Sequence, residues 1–176
     1  MKRDIKRMFW RFLFIGILAM VFLSGCGAKN GSQVEVEIAE EDLADAMDVC
    51  SSGKNYYVAA ADKILLYDAR GNPGEAYAFP ERVIVQIAYG DALYALDAQN
   101  QSILKLDKDG KIDDEYELNI ELVNLIDFEA VDSNVYLGVG VQEGGTYVEH
   151  TYVLPWKEQR MEEIFNKGFP MAGGGS

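Results

Sequence analysis

A single histidine, His150, stands among 176 residues, and it limits the available chemistry from the start. A Ser-His-Asp arrangement would have to use it, and no serine sits in a recognisable nucleophile turn. There is no second histidine, no cysteine set with metal-ligand spacing and no glycine-rich phosphate cradle after a strand. Asp107-Lys108-Asp109-Gly110 has the look of a calcium loop. With Gly110 at position six, however, positions one and twelve fall on Lys105 and Tyr116, where carboxylates are needed. Those four residues are expected to make a hairpin turn, with Gly110 at positive φ and Asp107 accepting from nearby amides. The pairs Asp113-Asp114 and Glu162-Glu163 read as solvated charge, because in a chain this acidic adjacent carboxylates carry no special weight as acid and base. The expectation is a non-enzymatic protein with no catalytic residue, metal site or cofactor.

What survives is a binding surface. Tyr147 and Glu149 share one strand face near a hairpin tip spanning residues 142–149, and Trp156 lies further along the same strand region. An aromatic ring supplies apolar area and a carboxylate accepts hydrogen bonds, which suits a protein or carbohydrate ligand. Tyr147, Glu149 and Trp156 are therefore the ligand-contact candidates. The competing expectation is that these aromatics pack between sheets. His150, on the face carrying Leu137, Val139 and Tyr152, is expected to be a packed or rim histidine rather than a metal ligand.

The elements that would position these residues repeat. Asn55-Tyr56-Tyr57-Val58-Ala59, Ala92-Leu93-Tyr94-Ala95-Leu96 and Asn134-Val135-Tyr136-Leu137-Gly138 align, with Tyr57, Tyr94 and Tyr136 spaced by 37 and 42 residues. A second register agrees, since Ile64 to Gly71 matches Ile103 to Gly110 at a spacing of 39. Periods near forty with about four strands each are the signature of propeller blades. The units run over residues 46–79, 83–118 and 122–165. Inner strands covered on both faces should be apolar throughout, as Ala92 to Leu96 is. The outer strand should alternate, with Ile112, Tyr116 and Leu118 on the apolar face and Asp114 interrupting it. Gly144-Gly145 fits a tight two-residue hairpin that sets Glu143 opposite Thr146 and Val139 opposite His150. The fold class is thus all-β, a partial β-propeller of about three four-stranded blades over residues 34–170.

Leu93-Tyr94-Ala95-Leu96-Asp97-Ala98 resembles the repeat of quinoprotein-type propellers, and Leu106-Asp107-Lys108-Asp109-Gly110-Lys111 resembles the turn found there and in NHL-type blades. Gln99-Asn100 stands where the former usually carries Thr-Gly, and the following tryptophan is absent. Four to eight blades usually close a ring. Three blades ending in a Gly/Ser-rich tail, residues 171–176, suggest the leading part of a longer chain, with open blade faces prone to self-association.

Upstream, residues 1–11 are basic, Phe12 to Leu23 is an apolar run of twelve, and small residues follow, which is the order of a secretory signal. The run is short of the roughly 20 residues a spanning helix needs. Leu23-Ser24-Gly25-Cys26 resembles the lipobox of bacterial lipoproteins. That resemblance implies cleavage of a signal peptide at residues 1–25, a diacylglyceryl group on Cys26, and residence on the extracytoplasmic face of the cell membrane. Residues 26–33 read as a flexible spacer. Surface lipoproteins of similar layout place a propeller ahead of a solute-binding domain, so the alternative is the N-terminal part of a solute-binding lipoprotein of an ABC-type uptake system. Cys50, left without a partner, is expected to be a buried and inert thiol.

Composition fits this picture. Apolar residues make up 49% and aromatics 11%, which excludes wholesale disorder. From residue 26 onward 28 acidic side chains face 11 basic ones, a formal charge of −17. Such a surface repels phosphate backbones, so nucleic acid is excluded as a partner.

Overall fold

The computed structural model describes residues 44–122, 124–143 and 146–170. The signal segment, Cys26, the spacer and the Gly/Ser-rich tail lie outside the described residues. Among the described residues, twelve strands fall into three antiparallel sheets. The first holds β1 (Asp48–Ser51), β2 (Asn55–Ala60), β3 (Lys63–Asp68) and β4 (Tyr77–Ala78). The second holds β5 (Ile84–Tyr89), β6 (Leu93–Asp97), β7 (Ser102–Leu106) and β8 (Ile112–Glu117). The third holds β9 (Leu125–Val131), β10 (Asn134–Glu143), β11 (Thr146–Pro155) and β12 (Glu162–Pro170). Each sheet is an up-and-down path in chain order. The first strands β1, β5 and β9 lie beside one another, so the sheets fan out as blades with β4, β8 and β12 outermost.

Two apolar seams hold the fan together. Tyr57, Ala59, Ile64 and Phe79 of the first blade meet Ile87, Leu93, Ala95, Leu104 and Leu106 of the second. On the opposite face of the second blade, Tyr94, Leu96 and Ile103 meet Phe128, Val135, Leu137, Val139, Leu154 and Trp156. Strand β6 feeds both seams through its alternation and is buried at every position. Each fully buried aliphatic or aromatic side chain there contributes about 1.5–3 kcal/mol. That is why β6 reads as a continuous apolar run. Polar links cross the same seams: the Ile87 amide donates to Asp48 Oδ2 at 2.8 Å, and the Asp91 amide donates to the Asp132 carbonyl at 2.8 Å.

The turns repeat as well. Asp68 accepts from the Arg70 and Asn72 amides, Asp107 accepts from those of Asp109 and Lys111, and Gly71 and Gly110 follow at φ of 82° and 75°. The Asp107 segment is the expected turn.

One expectation fails in β8. Tyr116 and Leu118 do pack into the seam with the third blade, but Ile112 does not join them. A register shift sets Asp114 opposite Lys105 and Ile112 opposite Leu106, which moves Ile112 to the other face. Ile112 is exposed there. Such an extra residue turns an outer strand and blunts its free edge.

Candidate functional site

In β10, Val135, Leu137 and Val139 enter the seam with the second blade, so Tyr136, Gly138 and Gly140 point the other way. Register then builds the outward face of the third blade. Tyr136 lies between Glu129 and Val153, Gly138 between Asp127 and Thr151, and Gly140 beside Glu149. On β12, Phe165 stands opposite Thr151 and Lys167 opposite Glu149. Among the described residues, four of the seven exposed large apolar side chains belong to this blade: Ile126, Val131 (54% exposed), Ile164 (54%) and Phe165 (49%). Ile164 is the extra residue of a bulge between Glu163 and Phe165.

Two of the three ligand-contact candidates lie on this face. Tyr147 and Glu149 are partly buried there, and the Tyr147 phenol lies over Gly140, where a Cβ would collide with it. The glycine makes room for the ring. Trp156 is elsewhere. It is 5% exposed, packs at 5.1 Å and 57° against Tyr94 of the second blade, and donates its indole N–H to Asp114. Its ring serves the seam, as the competing expectation for the aromatics holds, and offers no open face to a ligand. Tyr136, Val153 and Phe165 add apolar area to this face, and Phe165 gives little sign of it in the sequence because the bulge decides which β12 residues face outward.

The remaining polar clusters are engaged within the fold. Val139 pairs with His150 and Glu143 with Thr146, as the two-residue loop requires. The His150 Nδ1 lies 3.0 Å from Glu163 and Nε2 lies 3.7 Å from Glu143, with Tyr152 stacked at 6.2 Å. Its hydrogen bond, followed by one from Asn166, holds the Glu163 carboxyl below its ordinary value. His150 therefore braces three strands at the blade's edge.

An open polar depression in the second blade is lined by Pro80, Glu81, Arg82, Asn100, Glu115 and Glu117. The Arg82 guanidinium grips Glu115 with two bonds of 2.8 and 3.0 Å and reaches Asp97 at 3.0 Å. Ser102 donates to the same Glu115 at 2.7 Å. This serine has a carboxylate acceptor and no imidazole, which is not the geometry of an activated nucleophile. Arg82 holds the Glu115 carboxyl low. Burial works to raise the Asp97 carboxyl, but bonds from the Asn100 side chain and the Val83, Asn100 and Gln99 amides outweigh it and the net shift is downward. These are structural ties around the β6–β7 turn.

Cys50 is free and partly buried, and burial pushes its thiol well above the ordinary value, with Asp48 adding to the rise. It packs against the first seam and is less buried than expected.

No protein-family model matches the chain, and no curated protein matches it. Among solved structures it is similar to a catalytically inactive virginiamycin B lyase from Staphylococcus aureus with quinupristin, at 12% identity and TM-score 0.47, over 72% of this chain and 56% of that one. It is also similar to the Neurospora crassa Pan2 WD40 domain, at 13% identity and TM-score 0.49, over 71% and 39%. A third is Kuenenia stuttgartiensis hydrazine synthase, at 11% identity and TM-score 0.47, over 82% and 53%. The chain spans between about two fifths and three fifths of the length of these structures. The blade assignment rests on this chain's own strand pairing and seams.

Proposed function

We propose that the chain is a lipid-anchored, non-enzymatic binding module on the extracytoplasmic face of the cell membrane, and that the outward face of its third blade receives a protein partner. The observation that carries the binding role is the concentration of exposed apolar side chains on the third blade, with Val131 and Phe165 on its outward face, while both seams between blades are filled. Clustered exposure of apolar side chains marks interaction surfaces. The anchoring role is supported by the order of basic, apolar and small residues ending at Cys26. Two acyl chains hold a protein to a bilayer far better than one does.

The anchor is tested by growing cells with radiolabelled palmitate. Wild-type protein should carry label and Cys26→Ser should not, and an unlabelled wild type would refute anchoring. The binding role is tested by capture from solubilised envelope with wild type and with an Ile164→Ser, Phe165→Ser double variant. Both side chains are half exposed, so the variant should fold. A specific protein recovered by the wild type and lost in the variant supports the reading, and equal recovery by both removes the third blade as the site.

A further inference from the structure

We infer that the partner received by the third blade is a basic polypeptide surface, with lysine or arginine side chains framing an apolar centre, rather than a second copy of this chain. This rests on the reading of the third blade as a binding face and specifies the chemistry it selects. Tyr136 and Val153 pair across β10 and β11, and Phe165, opposite Thr151 on β12, extends them diagonally into an apolar stripe. Around it stand four carboxylates, Asp127, Glu129, Glu149 and Glu162, and one lysine, Lys167, placed opposite Glu149. Arg160 lies 3.4 Å from Glu162. Among the described residues, Asp127 and Glu129 have no ion pair, and the Asp127 carboxylate accepts only from the Phe128 amide.

A partner that covers the stripe must also remove water from these acids. Carboxylates desolvated without a cation are costly, so the covering surface has to supply positive charge. A second copy cannot do so. A two-fold pair would set this face against itself, acid against acid, in a chain of formal charge −13. Glu129 and Glu149 lie two strands apart and are offset along them by about four residues. By ordinary sheet spacing that is roughly 10 Å across and roughly 13 Å along. The cations on the partner should be similarly spread on either side of its apolar residues.

The test uses the full-length chain in detergent and two synthetic peptides of equal length. Both carry a Leu-Tyr-Leu centre, flanked by lysines in one and by glutamates in the other. The lysine peptide should bind the wild type and weaken as salt rises. A Glu129→Lys, Glu149→Lys variant should lose at least tenfold in affinity. An Asp109→Lys, Asp113→Lys variant, with the same change in net charge placed on the second blade, should stay within about twofold. Circular dichroism of each variant verifies the fold. Equal weakening by the two variants would reduce the effect to general acidity and overturn the proposal, as would equal binding of both peptides or binding of neither. Competition by maltotriose would instead assign the face to a neutral sugar. If the envelope partner is lost by the Ile164→Ser, Phe165→Ser variant but kept by Glu129→Lys, Glu149→Lys, the binding face stands and the basic partner falls.

Discussion

The Trp156 indole donates to the Asp114 carboxylate at 3.1 Å across 42 residues of chain, joining the end of β11 to the outer strand of the neighbouring blade. The same carboxylate accepts from Gln159 at 3.1 Å. A buried indole N–H without an acceptor is destabilising, but Asp114 is solvent-exposed and water can replace part of what is lost. Asp114→Ala should therefore cost about 1 kcal/mol in urea unfolding, and Asp114→Asn, which keeps an oxygen acceptor, clearly less. Equal losses in the two variants would show that this hydrogen bond does not stabilise the seam.

The bulge beside Asp114 marks where residue order stops specifying the fold. Strand groups, repeat spacing, the Asp107 turn and the Gly144-Gly145 hairpin register are local or periodic, and each leaves a mark in residue order. A bulge leaves none. The extra residue in β8 moves Ile112 off the face that Asp114 and Tyr116 share, and the extra residue in β12 decides that Phe165 and Glu162 share the outward face. Alternation along β11 sets Trp156 with Leu154, on the seam side and on the face opposite to that of Tyr147 and Glu149, and its packing on Tyr94 agrees. Tyr147 and Glu149, within one regular strand, were legible.

Acid should act on the second blade through Glu115, which Arg82 holds low, and through Asp97, which Asn100 and backbone amides hold low. The Glu115 and Asp97 carboxyls are held below their ordinary values of 4.5 and 3.8, so their contribution is fully present above those values and is lost as pH falls through the lowered ones. Arg82→Ala should cost about 1–3 kcal/mol at pH 7 and flatten the stability profile below pH 4.5. Asp48 works the other way. Burial raises its carboxyl despite bonds from the Ile87 and Val49 amides, so protonation relieves a cost as pH falls. Asp48→Asn should make the acid loss steeper. Urea unfolding from pH 3 to 7 separates the two, and parallel profiles for wild type and Arg82→Ala would contradict the assignment.

Two glycines separate backbone strain from packing. Gly53 and Gly110 have nearly the same φ, 79° and 75°, but a Cβ at Gly53 would meet nothing within 4 Å, whereas one at Gly110 would enter the Tyr77 ring of the first blade. A left-handed conformation costs a non-glycine residue about 1–2 kcal/mol. Gly53→Ala should show that cost alone. Gly110→Ala should exceed it by at least about 1 kcal/mol, because Tyr77 is part of the first seam and must move. Thermal unfolding of the two variants measures the difference, and similar values would mean that the turn does not pack on the neighbouring blade.

Protection of backbone amides from exchange should follow position in the fan. Strand β6 is paired on both edges, covered on both faces and buried at all five positions, so its amides open only when the second blade comes apart. Strand β12 is paired on one edge among the described residues, and its residues 162–168 are exposed. Its amides need only local opening at the sheet edge. In hydrogen–deuterium exchange β6 should be the slowest segment of the second and third blades, and β12 should exchange at least tenfold faster. Binding of a partner to the outward face of the third blade should slow β12 directly, and β6 only as far as the opening that exposes it also releases the partner. If β12 of the free chain were as slow as β6, its outward face would already be covered, and the third blade could not be the open face on which the binding role depends.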